Sequence, residues 1–276
     1  MILTGKNVVI TGGGGGIGSV VAKKCNDEGA NIILIGNNKK ELEQSGHFYI
    51  VADVSSEIEI KNAFETILEK YKTIDVLINA AGIQPPIGVF STNDLSSWEK
   101  NIEVNLFGTI HTTYCVLPLM KKQKHGKIIN FSGGGATGPR QNFSAYACAK
   151  TAIVRFTEIL AEEIKKDNID VNAISPGAVN TKMLQEVLNE KENAGKEYAD
   201  AVKRKKLGGT SPEIAANLIL FLSSEKSDGI TGKLISAPWD PWKDEKFQNK
   251  LRTEKNIYTL RRIDEKYFYE KKEKGE

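Results

Sequence analysis

Apolar and polar positions change period repeatedly along the chain. NVVIT at 7–11 is a short continuous apolar run, GSVVAKKCNDEG at 18–29 has helical spacing, and NIILIG at 31–36 is again a short apolar run, which predicts strand, helix, strand. HFYIVAD at 47–53 predicts a strand, SEIEIKNAFETILEKY at 56–71 an amphipathic helix, and IDVLINAAG at 74–82 a buried strand entering a turn of small residues. A helix over about 95–122, a strand at 126–132, a helix over about 144–167 and a strand at 169–177 continue the alternation. A helix over about 212–224, with Ser211 as its cap and Pro212 at its first position, and a strand near 232–236 close it. Short apolar strands joined by helical crossovers need helices on both faces, so the predicted fold is α/β, a Rossmann-type doubly wound and mostly parallel sheet.

Two stretches break the alternation. Residues 180–206 are polar and charge-rich directly after Pro176 and Gly177, which predicts a cover over a site. The regular pattern makes one domain of residues 1–237, and 238–276 is expected to be a C-terminal extension. There PWDPW leads into interleaved charges with Phe247, Ile257, Tyr258, Leu260, Ile263, Tyr267, Phe268 and Tyr269. Those apolar residues predict packing on the same chain or on a neighbouring subunit, with a partner-binding tail or a largely unstructured solvated tail as the other readings. Trp239 and Trp242 are expected to pack this C-terminus or to line a neighbouring subunit's site.

Composition narrows the class. With 276 residues, 40 % hydrophobic and 26 % charged, the chain can bury a large core and is not disordered throughout. A net charge of +3 gives no global case for a nucleic-acid or membrane-surface protein. Cys25, Cys115 and Cys148 are odd in number and widely spaced, with no metal-ligand cluster around them, which fits a reducing compartment. The N-terminus shows no basic leader and no stretch reaches eighteen apolar residues, so the expected location is the cytoplasm.

Candidate chemistry begins with TGGGGGIG at 11–18, placed between a predicted strand and a predicted helix. Glycines allow the tight turn and close backbone approach that a dinucleotide pyrophosphate requires, and the helix start offers unpaired N–H groups; a merely flexible loop is the alternative. No acid stands at the tip of the second strand, where Asn37, Asn38, Lys39 and Lys40 follow Gly36. Asn37 or a lysine there could take a 2′-phosphate, which favours NADP with NAD as the other option. Asp53 could accept from an adenine amino group or cap the helix beginning at Ser55 or Ser56. Tyr146 and Lys150, four apart on a predicted helix, can face one ligand, and an ammonium beside a phenol favours the phenolate needed for acid–base work.

Together these residues resemble the short-chain dehydrogenase/reductase family over roughly residues 5–237. The glycine pattern appears as Thr11, Gly12, Gly16, Ile17 and Gly18, the adenine-side pair as Asp53 and Val54, and the motif after the fourth strand as Asn79, Ala80, Ala81 and Gly82. Asn105 matches the helix asparagine that supports a proton-relay water, and Pro176, Gly177, Val179 and Thr181 match the nicotinamide-side motif. The resemblance implies that Tyr146 exchanges a proton with the substrate oxygen. It also implies that Lys150 lowers the tyrosine pKa and holds the nicotinamide ribose, and that Thr181 orients the carboxamide. The family's substrate-orienting serine, thirteen residues before the tyrosine, falls on Gly133. Ser132, Thr137 or Ser144 would then have to supply the hydroxyl, and the C-terminus departs from the family's usual close.

The expected protein is therefore an NAD(P)-dependent oxidoreductase of a carbonyl/secondary alcohol pair. Its substrate is expected to be a polar small molecule, such as a sugar or sugar nucleotide, rather than a steroid or long acyl chain. The resemblance implies a homodimer or homotetramer formed through the helices near 95–122 and 144–167. The competing class is a dinucleotide-binding interaction or regulatory protein with little or no turnover.

Overall fold

The structure, a computed structural model, describes residues 1–263; Tyr267, Phe268 and Tyr269 lie outside the described residues. Seven strands, β1 (Asn7–Thr11), β2 (Asn31–Gly36), β3 (Phe48–Val51), β4 (Val76–Asn79), β5 (Gly126–Phe131), β6 (Ile169–Ser175) and β7 (Leu234–Ser236), form one sheet. Its order is β3-β2-β1-β4-β5-β6-β7 and every pairing is parallel. β1, β4 and β5 are buried along their whole lengths, as their uninterrupted apolar or small-polar runs require when helices cover both faces. The order reverses between β1 and β4, and in such sheets the crevice beyond the carboxyl ends of those strands is where ligands bind.

On one face lie α1 (Gly16–Asp27) and, from the far end of the chain, α9 (Pro212–Leu222), packed together over β1 and β5. α3 (Glu57–Tyr71), α5 (Gly108–Gln123) and α6 (Ser144–Glu163) cover the other. α2 (Lys39–Gln44) is a short helix that the apolar pattern did not announce; Asn38 starts it by accepting from the Glu41 N–H. The single helix expected over 95–122 is instead α4 (Leu95–Ile102), a wide π-helical turn at Glu103–Phe107, and α5. Apolar spacing continues through this interruption, so periodicity alone could not reveal it.

The polar cover contains two helices, α7 (Lys182–Glu190) and α8 (Lys196–Leu207). Leu184, Val187 and Ala201 close onto Ile87 and Phe143, giving it a small apolar core of its own.

Residues 238–257 pack against the α1/α9 side of the sheet, whereas Leu260 packs with Val154 of α6. Trp242, Phe247 and Leu251 join the same buried cluster as β1 and α9, the last two carried by α10 (Glu245–Thr253). The Tyr258 carbonyl accepts from Leu234 N–H at 2.7 Å, covering a backbone donor at the open edge of β7. The buried Lys233 ammonium is held by the carbonyls of Glu254, Lys255 and Ile257. Trp239 departs from the expected packing: it is 82 % exposed, whereas Trp242 is buried and donates to Ala237 O at 3.0 Å.

Phe247→Ala should therefore remove about 3–5 kcal/mol of stability, lowering the melting temperature on the order of 10 °C. Trp239→Ala should change stability by less than about 0.5 kcal/mol, both read by thermal denaturation followed by circular dichroism.

Candidate active site

The first wall of the cleft is the turn between β1 and α1. Gly12 has φ +65°, and a Cβ there would stand 2.9 Å from the backbone N and Cα of Ala81; a Cβ on Gly18 would stand 2.3 Å from Gly12 O. Both positions therefore require glycine. Thr11 Oγ1 accepts from the N–H groups of Ala80 at 3.1 Å and Ala81 at 3.2 Å, tying the ends of β1 and β4 together where the sheet order reverses. No side chain caps α1, whose N-cap is Gly15, so its first N–H groups can receive an anion.

Gly12, Gly16, Ile17, Gly18, Asn37, Ala80, Gly82, Ser132, Tyr146, Lys150, Pro176 and Thr181 line one continuous cleft. Gly177 and Val179 line the cavity that adjoins it, and Ile17, Tyr146, Pro176 and Thr181 face both. The sequence-predicted residues Asp53, Val54 and Asn79 stand outside these walls. Asp53 turns onto Ser55, accepting from its N–H at 2.9 Å and its hydroxyl at 2.7 Å, while Ser56 caps α3. Burial acts to raise the Asp53 pKa, but the Ser55 hydrogen bonds and Lys100 prevail and lower it. Val54 packs under Gly108, and Asn79 lies within the core.

Tyr146 and Lys150 both stand on the inner face of α6, buried to 6 % and 3 % exposure. Lys150 Nζ donates to Phe131 O at 3.0 Å and lies 5.5 Å from the centre of the Tyr146 ring. Burial pushes the Tyr146 phenol up to about 12 and the Lys150 ammonium down to about 7. In a poorly solvated site each charged form is disfavoured, and the cation acting against the rise at Tyr146 is the guanidinium of Arg140.

Gly133, where the resemblance would place a serine, packs against the Tyr146 phenol: a Cβ there would stand 2.5 Å from Tyr146 Oη. Of the alternatives, Thr137 is exposed, and Ser144 accepts from Trp98 Nε1 at 3.1 Å. Ser132 lines the cleft, while its N–H still donates to Ile174 O on β6 at 2.8 Å. Its Oγ is buried without a partner. Asn105, in the π-helical turn, donates to Ile83 O at 2.8 Å and to Asn101 Oδ1 at 2.9 Å; its own Oδ1 is unpartnered and lies behind Gly82.

Several residues at the site carried no local signal in the sequence. Glu41, on the unannounced α2, brings its carboxylate to the glycine turn, where a Cβ on Gly15 would stand 3.0 Å from Oε2. Asn101 is fully buried and donates to the carbonyls of Ile83, Gln84 and Pro85, which shapes the loop after β4. Arg140 forms a two-point ion pair with Glu197 of α8, and its guanidinium lies 3.7 Å from the Phe143 ring centre and 5.6 Å from that of Tyr146. An arginine so close after the Gly133–Gly135 run was the one available hint.

Residues 6–192 match the family described as short chain dehydrogenase. The chain belongs to the short-chain dehydrogenase/reductase family. The 3-oxoacyl-(acyl-carrier-protein) reductase of Aquifex aeolicus is 35 % identical over 244 residues, covering 84 % of this chain and 96 % of that protein. Among solved structures, levodione reductase superposes with a TM-score of 0.79 at 26 % identity, over 85 % of this chain and 96 % of its own. NAD+-bound xylitol dehydrogenase gives 0.78 at 26 %, over 86 % and 98 %. This short-chain dehydrogenase/reductase is accordingly an oxidoreductase using a nicotinamide dinucleotide, and a binding protein without turnover is not favoured.

The Lys150 shift has a stability consequence with a definite sign. Its folded pKa lies below the usual 10.5, so between about pH 7 and 10.5 the unfolded chain binds a proton that the folded one does not, and stability rises with pH across that window. Lys150→Met should raise the melting temperature of the cofactor-free protein most below pH 7 and progressively less towards pH 10. Paired melts of both proteins at pH 6 and 9.5 test this, and an advantage for the variant that does not shrink at the higher pH contradicts it.

Proposed function

We propose that this oxidoreductase interconverts a carbonyl and a secondary alcohol on a polar small molecule, with Tyr146 as acid and base and NADP as the preferred dinucleotide. One observation carries the reading: Tyr146 is the phenol at the junction of the glycine-lined cleft and the adjoining cavity, with Lys150 beside it. The dinucleotide supplies the hydride donor or acceptor. In reduction the phenol proton passes to the substrate oxygen as the carbon–oxygen π bond breaks, and in oxidation the phenolate takes that proton back.

The residues present fit such a cofactor. Gly12, Gly16, Ile17 and Gly18, with the uncapped start of α1, would hold the pyrophosphate. Ala80 and Gly82 give it a wall without bulk. Lys150 would bind the nicotinamide ribose, and Pro176, Gly177, Val179 and Thr181 would hold the carboxamide end. Asn105 Oδ1 would accept from a relay water and the unpartnered Ser132 Oγ would orient the substrate oxygen; both atoms are buried polar groups that gain a partner in this way.

NADP is favoured by the absence of an acid at the tip of β2, where Asn37 lines the cleft. Glu41 works in the opposite direction, since a carboxylate near the glycine turn repels a 2′-phosphate. Titration of nicotinamide fluorescence should give saturable binding, tighter for NADPH than for NADH, that is lost in Gly16→Asp. Glu41→Gln should widen the preference for NADPH by roughly fivefold or more, about 1 kcal/mol; an unchanged ratio removes Glu41 from the selectivity argument. Tyr146→Phe should keep dinucleotide affinity while lowering turnover at least about 100-fold, and a variant that retains its rate overturns the role given to Tyr146.

The exposed Leu95, Phe107, Tyr114 and Ile159 on α4–α6 and the intervening turn support a homodimer or homotetramer formed through this face. The cytoplasmic reading rests on Cys25, Cys115 and Cys148 being free thiols.

A further inference from the structure

The cavity on the far side of Tyr146 carries information about the substrate that neither the reaction type nor the family supplies. Buried polar side-chain atoms in a native fold nearly always have partners. Around this cavity and its opening to the cleft, Gln84 Oε1, Glu186 Oε2 and Arg204 Nε have none. They come from three separate segments, the loop after β4, α7 and α8, so no single local turn accounts for them. Two are acceptors and one is a donor. A hydroxyl can donate to the first two and accept from the third, and a chain of adjacent hydroxyls can do both at once.

The charged residues of the wall weigh against an anionic substrate. Arg140, Arg204, Glu197 and Asp200 all line the cavity, so the cationic and anionic groups balance and an anionic substrate gains little net attraction. Arg140 is already engaged on two points by Glu197 and forms wall rather than hook. An acyl chain or steroid placed here would leave the unpartnered atoms buried against hydrocarbon, which is unfavourable. The cavity, about 380 Å³, lies within the size range of small-molecule sites.

Resting on the oxidoreductase reading above, we propose that the substrate is an uncharged polyhydroxylated compound, a free sugar or its alditol. Gln84, Glu186 and Arg204 take its hydroxyls while the carbon to be oxidised or reduced lies at Tyr146. The three residues determine specificity by rewarding hydroxyls and penalising hydrocarbon.

The full chain, saturated with NAD+ or NADP+, would be assayed against xylitol, sorbitol, glucose and galactose, against 3-hydroxybutyrate and its N-acetylcysteamine thioester, and against cyclohexanol. At least one sugar or alditol should exceed every member of the other two groups tenfold or more in kcat/KM. Gln84→Leu and Arg204→Met should each raise KM for that compound at least tenfold, with nicotinamide affinity and melting temperature unchanged. A smaller preference, a preference for an acyl compound or cyclohexanol, or variants that fold normally and keep the KM overturns the substrate assignment and leaves the oxidoreductase reading standing. Bound dinucleotide with no hydride transfer from any member of the three groups overturns both.

Discussion

A buried polar ladder holds α6, the helix of Tyr146 and Lys150, to the sheet. Asn79 at the end of β4 donates to Asn130 Oδ1 on β5 at 2.9 Å and accepts from the Thr112 hydroxyl on α5 at 2.7 Å. Asn130 in turn donates to Thr157 Oγ1 on α6 at 2.9 Å. All four side chains are essentially excluded from water, so each bond is made in a medium where leaving it unmade is costly. Apolar packing alone tolerates small slides of a helix over a sheet, whereas directional bonds of this kind do not. The ladder fixes α6 against β5, and with it the position of Tyr146 and Lys150 relative to the ends of β1 and β4. Asn79, singled out for the cofactor, thus serves the site through the frame.

Close approach is the second constraint. The β1–α1 turn meets the loop after β4 backbone to backbone, and the edge of the Tyr146 ring meets Gly133 in the same manner. Space that a Cβ would fill is taken by neighbouring backbone in the first case and by the Tyr146 phenol in the second. The accompanying loss of water raises the phenol pKa and lowers that of the ammonium. Both shifts follow from burial, with the Arg140 guanidinium acting against the rise at Tyr146.

The two segments that broke the alternating pattern close the molecule at different places. α7 and α8 fold over Tyr146 and are joined to the segment after β5 by the Arg140–Glu197 pair, so the residues expected to select the substrate belong largely to the cover. Between residues 238 and 258 the chain fills the outer side of α9 with Trp242, Phe247 and Leu251 and covers β7. Burial on that side stabilises the sheet without entering the cleft.

Periodicity and turn chemistry in the sequence determined the strands, most helices, the parallel layered sheet and the glycine turn, because each depends on neighbours within about one or two turns of chain. The Tyr146–Lys150 pair was legible for the same reason. Tertiary structure alone decided that the 95–122 helix is interrupted at Asn105, that Asp53 is turned onto Ser55, that Ser132, Glu41 and Glu186 line the cleft, and that Gln84, Arg140 and Arg204 line the adjoining cavity. Those outcomes depend on contacts between residues tens of positions apart, on burial that shifts ionisation, and on whether a polar atom finds a partner. None of these quantities is defined until the chain is folded.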